Sequence, residues 1–223
     1  MNVTDAIMSR ISVRAFLDTP VSGETLRKIL EVAKYAPSGG NLQPWHIWAL
    51  GGAEMTAFKA LIQEKMAKTP TGEGSEFNIY PPDLKEPYKA RRYKCADYMY
   101  ATVGIKREDK MARLVQMAKN FDFFGAPAAL FFAIDRQMGP GQWAHLGMLM
   151  QTIMLAAREQ GLHTCAQEAW AIWPKTITEF FGIPPHLQFY CGMAIGYADM
   201  AQPINALRTD RAALSEFATF RGI

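Results

Sequence analysis

The segment APSGGNLQPWH, residues Ala36–His46, constrains the fold more than any other part of the chain. Pro37 ends the helical pattern that precedes it, because the residue before a proline avoids the helical region of backbone space. The adjacent glycine pair permits backbone conformations closed to other residues, or the close approach of a flat ligand. The polar side chains able to donate or accept hydrogen bonds here are Ser38, Asn41 and Gln43. The segment is therefore either a plain helix-to-strand connector or a ligand-binding loop.

A second polar pattern lies near the N-terminus. Arg10, Ser12 and Arg14 alternate with Ile11 and Val13, so in an extended segment the three polar side chains share one face. Two guanidinium groups beside a hydroxyl suit an oxyanion such as a phosphate, which arginine binds through paired hydrogen bonds. Taken alone, the pattern favours the alternative of an exposed segment with hydrated arginines, since most surface charge has no ligand.

Composition and motifs exclude several classes of protein. The 223 residues are 49% hydrophobic and 20% charged, which is enough for a sizeable core and too apolar for a disordered chain. The net charge of +3 comes from scattered basic residues, so no nucleic-acid surface is predicted. We expect neither a secretory leader nor a membrane helix, and predict a cytoplasmic protein. The three cysteines and four histidines show neither a disulfide framework nor metal-ligand spacing, so no metal site is predicted.

Hydrophobic periodicity predicts alternating helices and strands. Helices are predicted over residues 1–8, 53–67, 88–101, 107–119 and 142–160, after Ser22, and from Pro174. Strands are predicted over residues 45–50, 128–134 and 187–197, with a short extended piece from His163. The helix over 142–160 is apolar nearly all round and is predicted to be buried at the centre. We predict a single domain over residues 1–223, with a helical and loop excursion at about 68–120 and a C-terminal extension at about 199–223.

Four segments, taken in order, resemble the flavin-dependent nitroreductase family. They are Ser9–Arg14, Ala36–Trp45, Gly161–Glu168, and Gly192–Tyr197 followed by Arg208 and Arg211. The central stretch, with Phe124–Pro127 and Gln142-Trp143, is most similar to the branch related to nitrobenzoate reductases. The resemblance implies an α+β sandwich, with a central mixed or antiparallel sheet flanked by helices, and an intertwined homodimer. It also implies FMN bound non-covalently at the subunit interface, NADH or NADPH as electron donor, and ping-pong reduction of a small aromatic acceptor, a nitroaromatic or a quinone.

The resemblance further implies a set of cofactor-binding residues. Those that match the phosphate-binding segments are Arg10, Ile11, Ser12, Arg208 and Arg211. Arg14 matches a cation near N1 and the C2 carbonyl of the flavin. The loop along the flavin, from the other subunit, is matched by Pro37, Ser38, Gly39 and Asn41. The segment whose backbone approaches N5 is matched by Ala166, Gln167 and Glu168. No side chain is assigned as an obligatory acid or base, because the cofactor carries the chemistry.

Substrate contacts are predicted among aromatic residues in and beside the excursion. Phe123 and Phe124 could stack on an aromatic acceptor, with Tyr80 or Tyr88 closing above it, but aromatic residues next to a buried strand are more often core. Arg91 or Arg92 could attract a carboxylated substrate, although the favoured alternative is that both are hydrated charges on a helix. Two other functions stay open: a flavoenzyme of the same fold for reductive dehalogenation or flavin fragmentation, and a flavin-binding protein without catalysis.

Overall fold

The computed structural model describes all residues from Met1 to Ile223. Its helices are α1 (Val3–Ser9), α2 (Gly23–Ala33), α3 (Gly52–Lys68), α4 (Tyr88–Ala101), α5 (Lys110–Ala118), α6 (Pro140–Glu159) and α7 (Pro174–Phe181). Its strands are β1 (Trp45–Gly51), β2 (Ala128–Asp135), β3 (His163–Gln167) and β4 (Leu187–Gly196). The elements predicted from periodicity are confirmed, with ends that differ by a few residues. None of the helices combines the length and the apolar character needed to cross a membrane.

One four-stranded sheet in the order β1-β2-β4-β3 forms the centre of the molecule. All three neighbouring pairs are antiparallel. Strand β2 is central, and its residues from Ala128 to Ile134 are all buried. The predicted α+β class, a sheet flanked by helices, is confirmed, and of the two sheet types left open the antiparallel one is found. The division into one domain with an excursion stays a prediction.

Both faces of the sheet are covered, which explains why β2 is a continuous apolar run rather than an alternating one. Phe131 points into an aromatic layer with Phe58 of α3 and Trp170. Its neighbours Leu130 and Phe132 point to the other face, where the buried residues of α2 and α6 pack. Successive side chains of a strand point to opposite faces, so one short strand serves two hydrophobic layers.

Helix α6 is buried on one side only. Leu146, Leu149 and Ile153 are fully or almost fully buried against the sheet, whereas Met148 keeps 44% of its surface exposed. The prediction that this helix is buried at the centre therefore holds for one of its sides only in the single chain. The apolar residues of its other side are available to a further surface.

The residues after α1 run along the edge strand β3. Ser12 pairs in parallel with Thr164, and the backbone N–H of Val13 donates to the Thr164 carbonyl at 3.1 Å. The predicted extended conformation of this polar segment is therefore confirmed. It also covers the open edge of β3, which would otherwise leave unpaired backbone groups.

A buried asparagine in the C-terminal tail joins the tail to this N-terminal segment. The Asn205 Oδ1 accepts from the Arg14 backbone N–H at 2.8 Å. Its Nδ2 donates to the carbonyls of Ala15 and Asp199, both at 2.8 Å. Since the amide is almost completely buried, these three bonds satisfy backbone groups that water cannot reach.

Replacement of Asn205 by leucine, a residue of similar size, should remove all three bonds and leave the buried groups unpaired. We expect a loss of about 2–4 kcal/mol in the free energy of unfolding, measured by urea denaturation. The exposed residue Asn78 provides the control, and Asn78→Leu should change stability by less than about 0.5 kcal/mol. Equal small losses in both variants would show that Asn205 does not fix the tail.

Candidate functional site

A cavity of about 660 Å³ opens between the segment after α1 and the C-terminal tail. Among its lining residues are six that the sequence predicts to bind a cofactor: Arg10, Ile11, Ser12, Arg14, Arg208 and Arg211. Gln151 of α6 and Cys95 of α4 also line it. The fold thus brings predicted phosphate-binding residues from the two ends of the chain into one site.

The four arginines of this cavity have no carboxylate partner. Arginines that form ion pairs lie elsewhere, at Arg91, Arg107, Arg113 and Arg136. In the cavity, Arg14 donates to the Ser12 carbonyl at 3.3 Å, and Arg211 donates to the Thr209 hydroxyl at 2.6 Å. Neutral acceptors leave the positive charge uncompensated. Such a cluster is suited to a ligand that carries several negative charges.

The pKa of Arg10 also reflects the positive charges that lie close together in this cavity. Burial lowers the pKa of the Arg10 guanidinium below its ordinary value, and the nearby positive charge of Arg211 lowers it further. Both causes disfavour the charged form, and a bound anion would oppose both. The chain contains no group of three or more His, Cys, Asp or Glu side chains that could hold a metal ion. The arginines and Ser12 that line the cavity are donors suited to an anion.

Local structure explains how the N-terminal side chains reach the cavity. Because the segment is extended, Arg10, Ser12 and Arg14 share one face, and Val13 on the other face is fully buried in the core. On the C-terminal side of the cavity, Asn205 holds the tail three residues before Arg208. The sequence analysis did not identify Asn205. Its sequence context gives no signal, because its role depends on contacts with residues far away in the chain.

The three residues predicted near the flavin N5 lie at the end of β3. Gln167 is buried, and its Nε2 donates to the Asn120 carbonyl at 2.8 Å. The Glu168 carboxylate accepts from the Tyr190 hydroxyl at 3.0 Å. Burial, above all, raises the pKa of Tyr190, so the hydroxyl stays protonated and keeps donating. Ala166 is exposed and lies two residues beyond Thr164, the strand position that pairs with Ser12.

The loop after α2 adopts a defined and unusual backbone. Gly40 has φ 59°, Asn41 φ 53° and Gln43 φ 49°, all in the left-handed region that favours glycine. The Ser38 hydroxyl accepts from the Gln43 backbone N–H at 3.0 Å. The prediction that a glycine here adopts a backbone conformation unfavourable for other residues is confirmed at Gly40. The connector is thus an ordered turn with exposed residues rather than a loose link.

This loop does not reach the arginine cavity of its own chain. None of the predicted loop residues Pro37, Ser38, Gly39 and Asn41 lines the cavity. Gly39 instead contacts His145 near the start of α6, whereas Gln151 of the same helix lines the cavity. Six helical residues separate these positions by about 9 Å along the axis. One chain therefore contains the two parts of the predicted site at separate places.

The predicted substrate-contact residues divide into two groups. Phe123 is fully buried and stacks on Trp170 with ring centroids 4.6 Å apart, and Phe124 is almost fully buried in the same layer. Burial supports the alternative interpretation of these two rings as core, because they have almost no surface for an acceptor. Tyr80 and Tyr88 are 48% and 61% exposed and stay available to a ligand.

The chain matches the family model described as "Nitroreductase family" over residues 7–197. It is 36% identical over 219 residues to the 4-nitrobenzoate reductase of Pseudomonas putida, covering 98% of this chain and 95% of that protein. It is 34% identical over 218 residues to the nitrobenzene nitroreductase of Ectopseudomonas oleovorans, covering 98% and 96%.

Solved structures agree with these relatives. The FMN and NADPH-dependent nitroreductase NfnB of Sphigopyxis sp. strain HMH matches over 100% of both chains, with a TM-score of 0.96 and 38% identity. The FMN-dependent nitroreductase NfnB of Mycobacterium smegmatis, solved in complex with NADPH, matches over 98% of this chain and 97% of that chain, with a TM-score of 0.92 and 27% identity. The resemblance stated from four segments is confirmed: the chain belongs to the nitroreductase family.

Proposed function

We propose that this protein is an FMN-dependent NAD(P)H oxidoreductase that reduces nitroaromatic compounds. The observation that carries the proposal is the cavity lined by four arginines and Ser12 without a single neutralising carboxylate. The relatives support the reaction, since they are named as nitroreductases and the two NfnB structures are described as FMN-dependent. These names favour nitro reduction over dehalogenation, flavin fragmentation or flavin binding without catalysis.

The residues of the cavity fit FMN. A phosphate monoester carries about −1.5 to −2 charge near neutral pH, which the arginines can neutralise. A volume of about 660 Å³ lies within the usual range for small-molecule and cofactor sites. In this proposal Arg10, Ser12, Arg208 and Arg211 hold the phosphate. Their donors, unlike a single lysine, can bind several phosphate oxygens at once.

The other residues orient the ring. FMN, when bound, supplies the hydride-transfer chemistry. Arg14 places a fixed positive charge toward N1 and the C2 carbonyl, and Asn205 holds its backbone. The backbone of Ala166–Glu168 would face N5 of a bound flavin, and the Tyr190 hydroxyl donates to the Glu168 carboxylate and holds it in place. We assign no side chain as proton donor, in keeping with a cofactor-centred reaction.

We propose that the active form is a homodimer in which the Pro37–Asn41 loop of one subunit completes the cavity of the other. The separation of loop and cavity in one chain supports this arrangement. So do apolar residues left open on α1 and α6, among them Met8, which is 76% exposed, and Met148. A second copy that covers this surface would bury both and bring the loop to the ring.

We also propose that the protein works in the cytoplasm, without a nucleic-acid or membrane partner. All three cysteines are free, with Cys95 exposed and Cys165 and Cys191 buried, which suits a reducing compartment. The scattered basic residues, apart from the cavity, support a small-molecule partner rather than a polyanion.

We base a proposed substrate class on the one unpaired cation of α4 that lies on an aromatic ring. Arg91 pairs with Glu216 and Lys94 with Asp210, so their charges are neutralised by the tail. Arg92 has no carboxylate partner, and its guanidinium lies 3.9 Å from the centre of the Tyr80 ring. An exposed tyrosine beside a free guanidinium suits an aromatic carboxylate, so we propose nitrobenzoates as acceptors.

The arginine assignment predicts FMN affinity. Arg10→Ala and Arg211→Ala should each weaken FMN binding by about 10–100-fold, since each removes charge-assisted hydrogen bonds. Quenching of flavin fluorescence measures the affinity, and anaerobic NADH or NADPH should bleach the wild-type spectrum. Arg27 of α2 is exposed and does not line the cavity, so Arg27→Ala is the control. A wild-type protein that stays colourless with added FMN would refute the proposed function.

The shared site predicts complementation between defective subunits. Arg10→Ala removes a cavity residue, and Gly40→Val should distort the loop, because valine is strained at φ 59°. Each variant alone should bind FMN at least about 10-fold more weakly than the wild type. Unfolding them together and refolding should restore about a quarter of the wild-type sites, since half of random dimers are mixed and each has one intact site. Separately refolded variants are the control, and no recovery in mixtures of confirmed dimers would contradict the shared site.

The carboxylate assignment predicts a selective effect on KM. Arg92→Ala should raise KM for 4-nitrobenzoate about 5–10-fold and leave KM for nitrobenzene within about twofold. Arg107, another exposed arginine near a tyrosine ring, provides the matched control Arg107→Ala. Steady-state kinetics with both acceptors make the comparison. Parallel changes for the acidic and the neutral acceptor would exclude Arg92 from carboxylate recognition.

A further inference from the structure

The loop after α2 touches a side chain that the proposed site does not yet use. His145, in the second turn of α6, accepts a hydrogen bond at Nε2 from the Gly39 backbone N–H at 3.2 Å. A Cβ added to Gly39 would lie 3.3 Å from the His145 Cε1 atom and 3.6 Å from Nε2. The imidazole edge and the loop backbone are therefore in direct contact, with little room for a side chain at residue 39.

The contact indicates which tautomer the neutral imidazole adopts. An Nε2 atom that accepts a hydrogen bond has a free lone pair, so the neutral ring carries its proton on Nδ1. That Nδ1 atom is buried and has no hydrogen-bond partner. An unpaired buried N–H lowers stability, and an apolar residue of similar size would avoid it. Packing alone therefore does not explain a histidine at this position.

The loop needs a contact of this kind because its backbone is strained. Asn41 and Gln43, which are not glycines, both have positive φ, and such residues persist only where their surroundings hold them. The other hydrogen bonds of residues 38–43 close within the loop, as from Asn41 N–H to the Ser38 carbonyl at 2.9 Å. The bond to His145 is the one hydrogen bond that ties these residues to another element.

We propose that His145 is a positioning residue for the cofactor: by accepting from Gly39 it holds the Pro37–Asn41 loop at a fixed place on α6. This role rests on the proposed FMN function. Helix α6 carries His145 against the loop and Gln151 in the wall of the arginine cavity. One rigid helix therefore sets the distance between the loop that serves one site and the cavity of the other.

A positioning role and a packing role give opposite results in one variant. His145→Leu fills the space, removes the unpaired N–H and removes the acceptor. If His145 only packs, leucine should leave FMN affinity unchanged. If it positions the loop, leucine should keep or raise the unfolding temperature while it weakens FMN binding. His145→Gln keeps a neutral acceptor, the side-chain amide oxygen, and should restore binding.

The experiment uses the full-length dimer with FMN. We expect His145→Leu to weaken FMN about tenfold, which is the contribution of one hydrogen bond, and to alter the visible circular dichroism of the bound flavin. His145→Gln should stay within about threefold of the wild type. The exposed His186 supplies the control His186→Leu, which should change neither quantity.

A second variant tests the same contact from the loop side. Gly39→Ala pushes the loop away from the ring, so it should weaken FMN binding in the wild-type background. Because both changes break one contact, the double variant Gly39→Ala/His145→Leu should be no weaker than the weaker single variant. Additive losses would show two independent effects and would overturn the positioning role.

The outcomes separate this role from the proposed function. A wild type that binds FMN, with leucine and glutamine variants that bind it equally well and show the same dichroism, overturns the role of His145 alone. A wild type that binds no FMN overturns the proposed function and this role together. Loss of binding in the leucine variant with recovery in the glutamine variant supports both.

Discussion

Four arginines that converge on one cavity are the constraint on which the candidate site depends, because like charges repel. Arg10, Arg14, Arg208 and Arg211 line this cavity without a carboxylate, and burial makes the charge of Arg10 more costly. The fold resists this repulsion at both ends of the chain. Val13 is locked in the core between two of the arginines, and Asn205 fixes the tail that carries the other two. The apolar layers on both faces of the sheet supply the rigidity that this arrangement needs.

The residues of the candidate site lie around the edges of the packed central sheet. The aromatic layer around Phe131 and the opposite layer around Phe132 leave the sheet no freedom to shift. The functional segments lie where this sheet ends: along the edge of β3, at its C-terminal end, and in the loop before β1. In this arrangement each exposed segment of the site is attached to an element that is packed against the core.

Much of the fold could be predicted from the sequence, because periodicity reports burial directly. All four strands and seven helices follow from it, and the extended Arg10–Arg14 pattern follows from alternation. The errors arise where burial depends on what lies opposite. The 142–160 pattern could not show that the sheet covers one side of α6 only, and the aromatic rings at Phe123 and Phe124 could equally belong to a pocket or a core.

Residues that act through contacts with distant parts of the chain could not be identified from the sequence. Asn205 lies in a stretch without periodicity, and His145 lies within an apolar helical pattern in which one histidine carries no signal. Their importance depends on partners far along the chain, Arg14 and Gly39, that only the folded structure identifies. The arginine pattern was ambiguous for the same reason, since hydrated arginines and a phosphate site look alike until both chain ends are brought together.

The two ion pairs between α4 and the tail limit how independently this protein can be re-engineered. Arg91 pairs with Glu216 and Lys94 pairs with Asp210. These two acidic residues lie on either side of Arg211 in the sequence. The helix proposed to select the acceptor is therefore attached to the segment proposed to hold the cofactor. Exposed ion pairs are weak and are screened by salt. Coupling between acceptor range and flavin retention should therefore be greatest at low salt, and variants of α4 are best selected for both traits at the ionic strength of intended use.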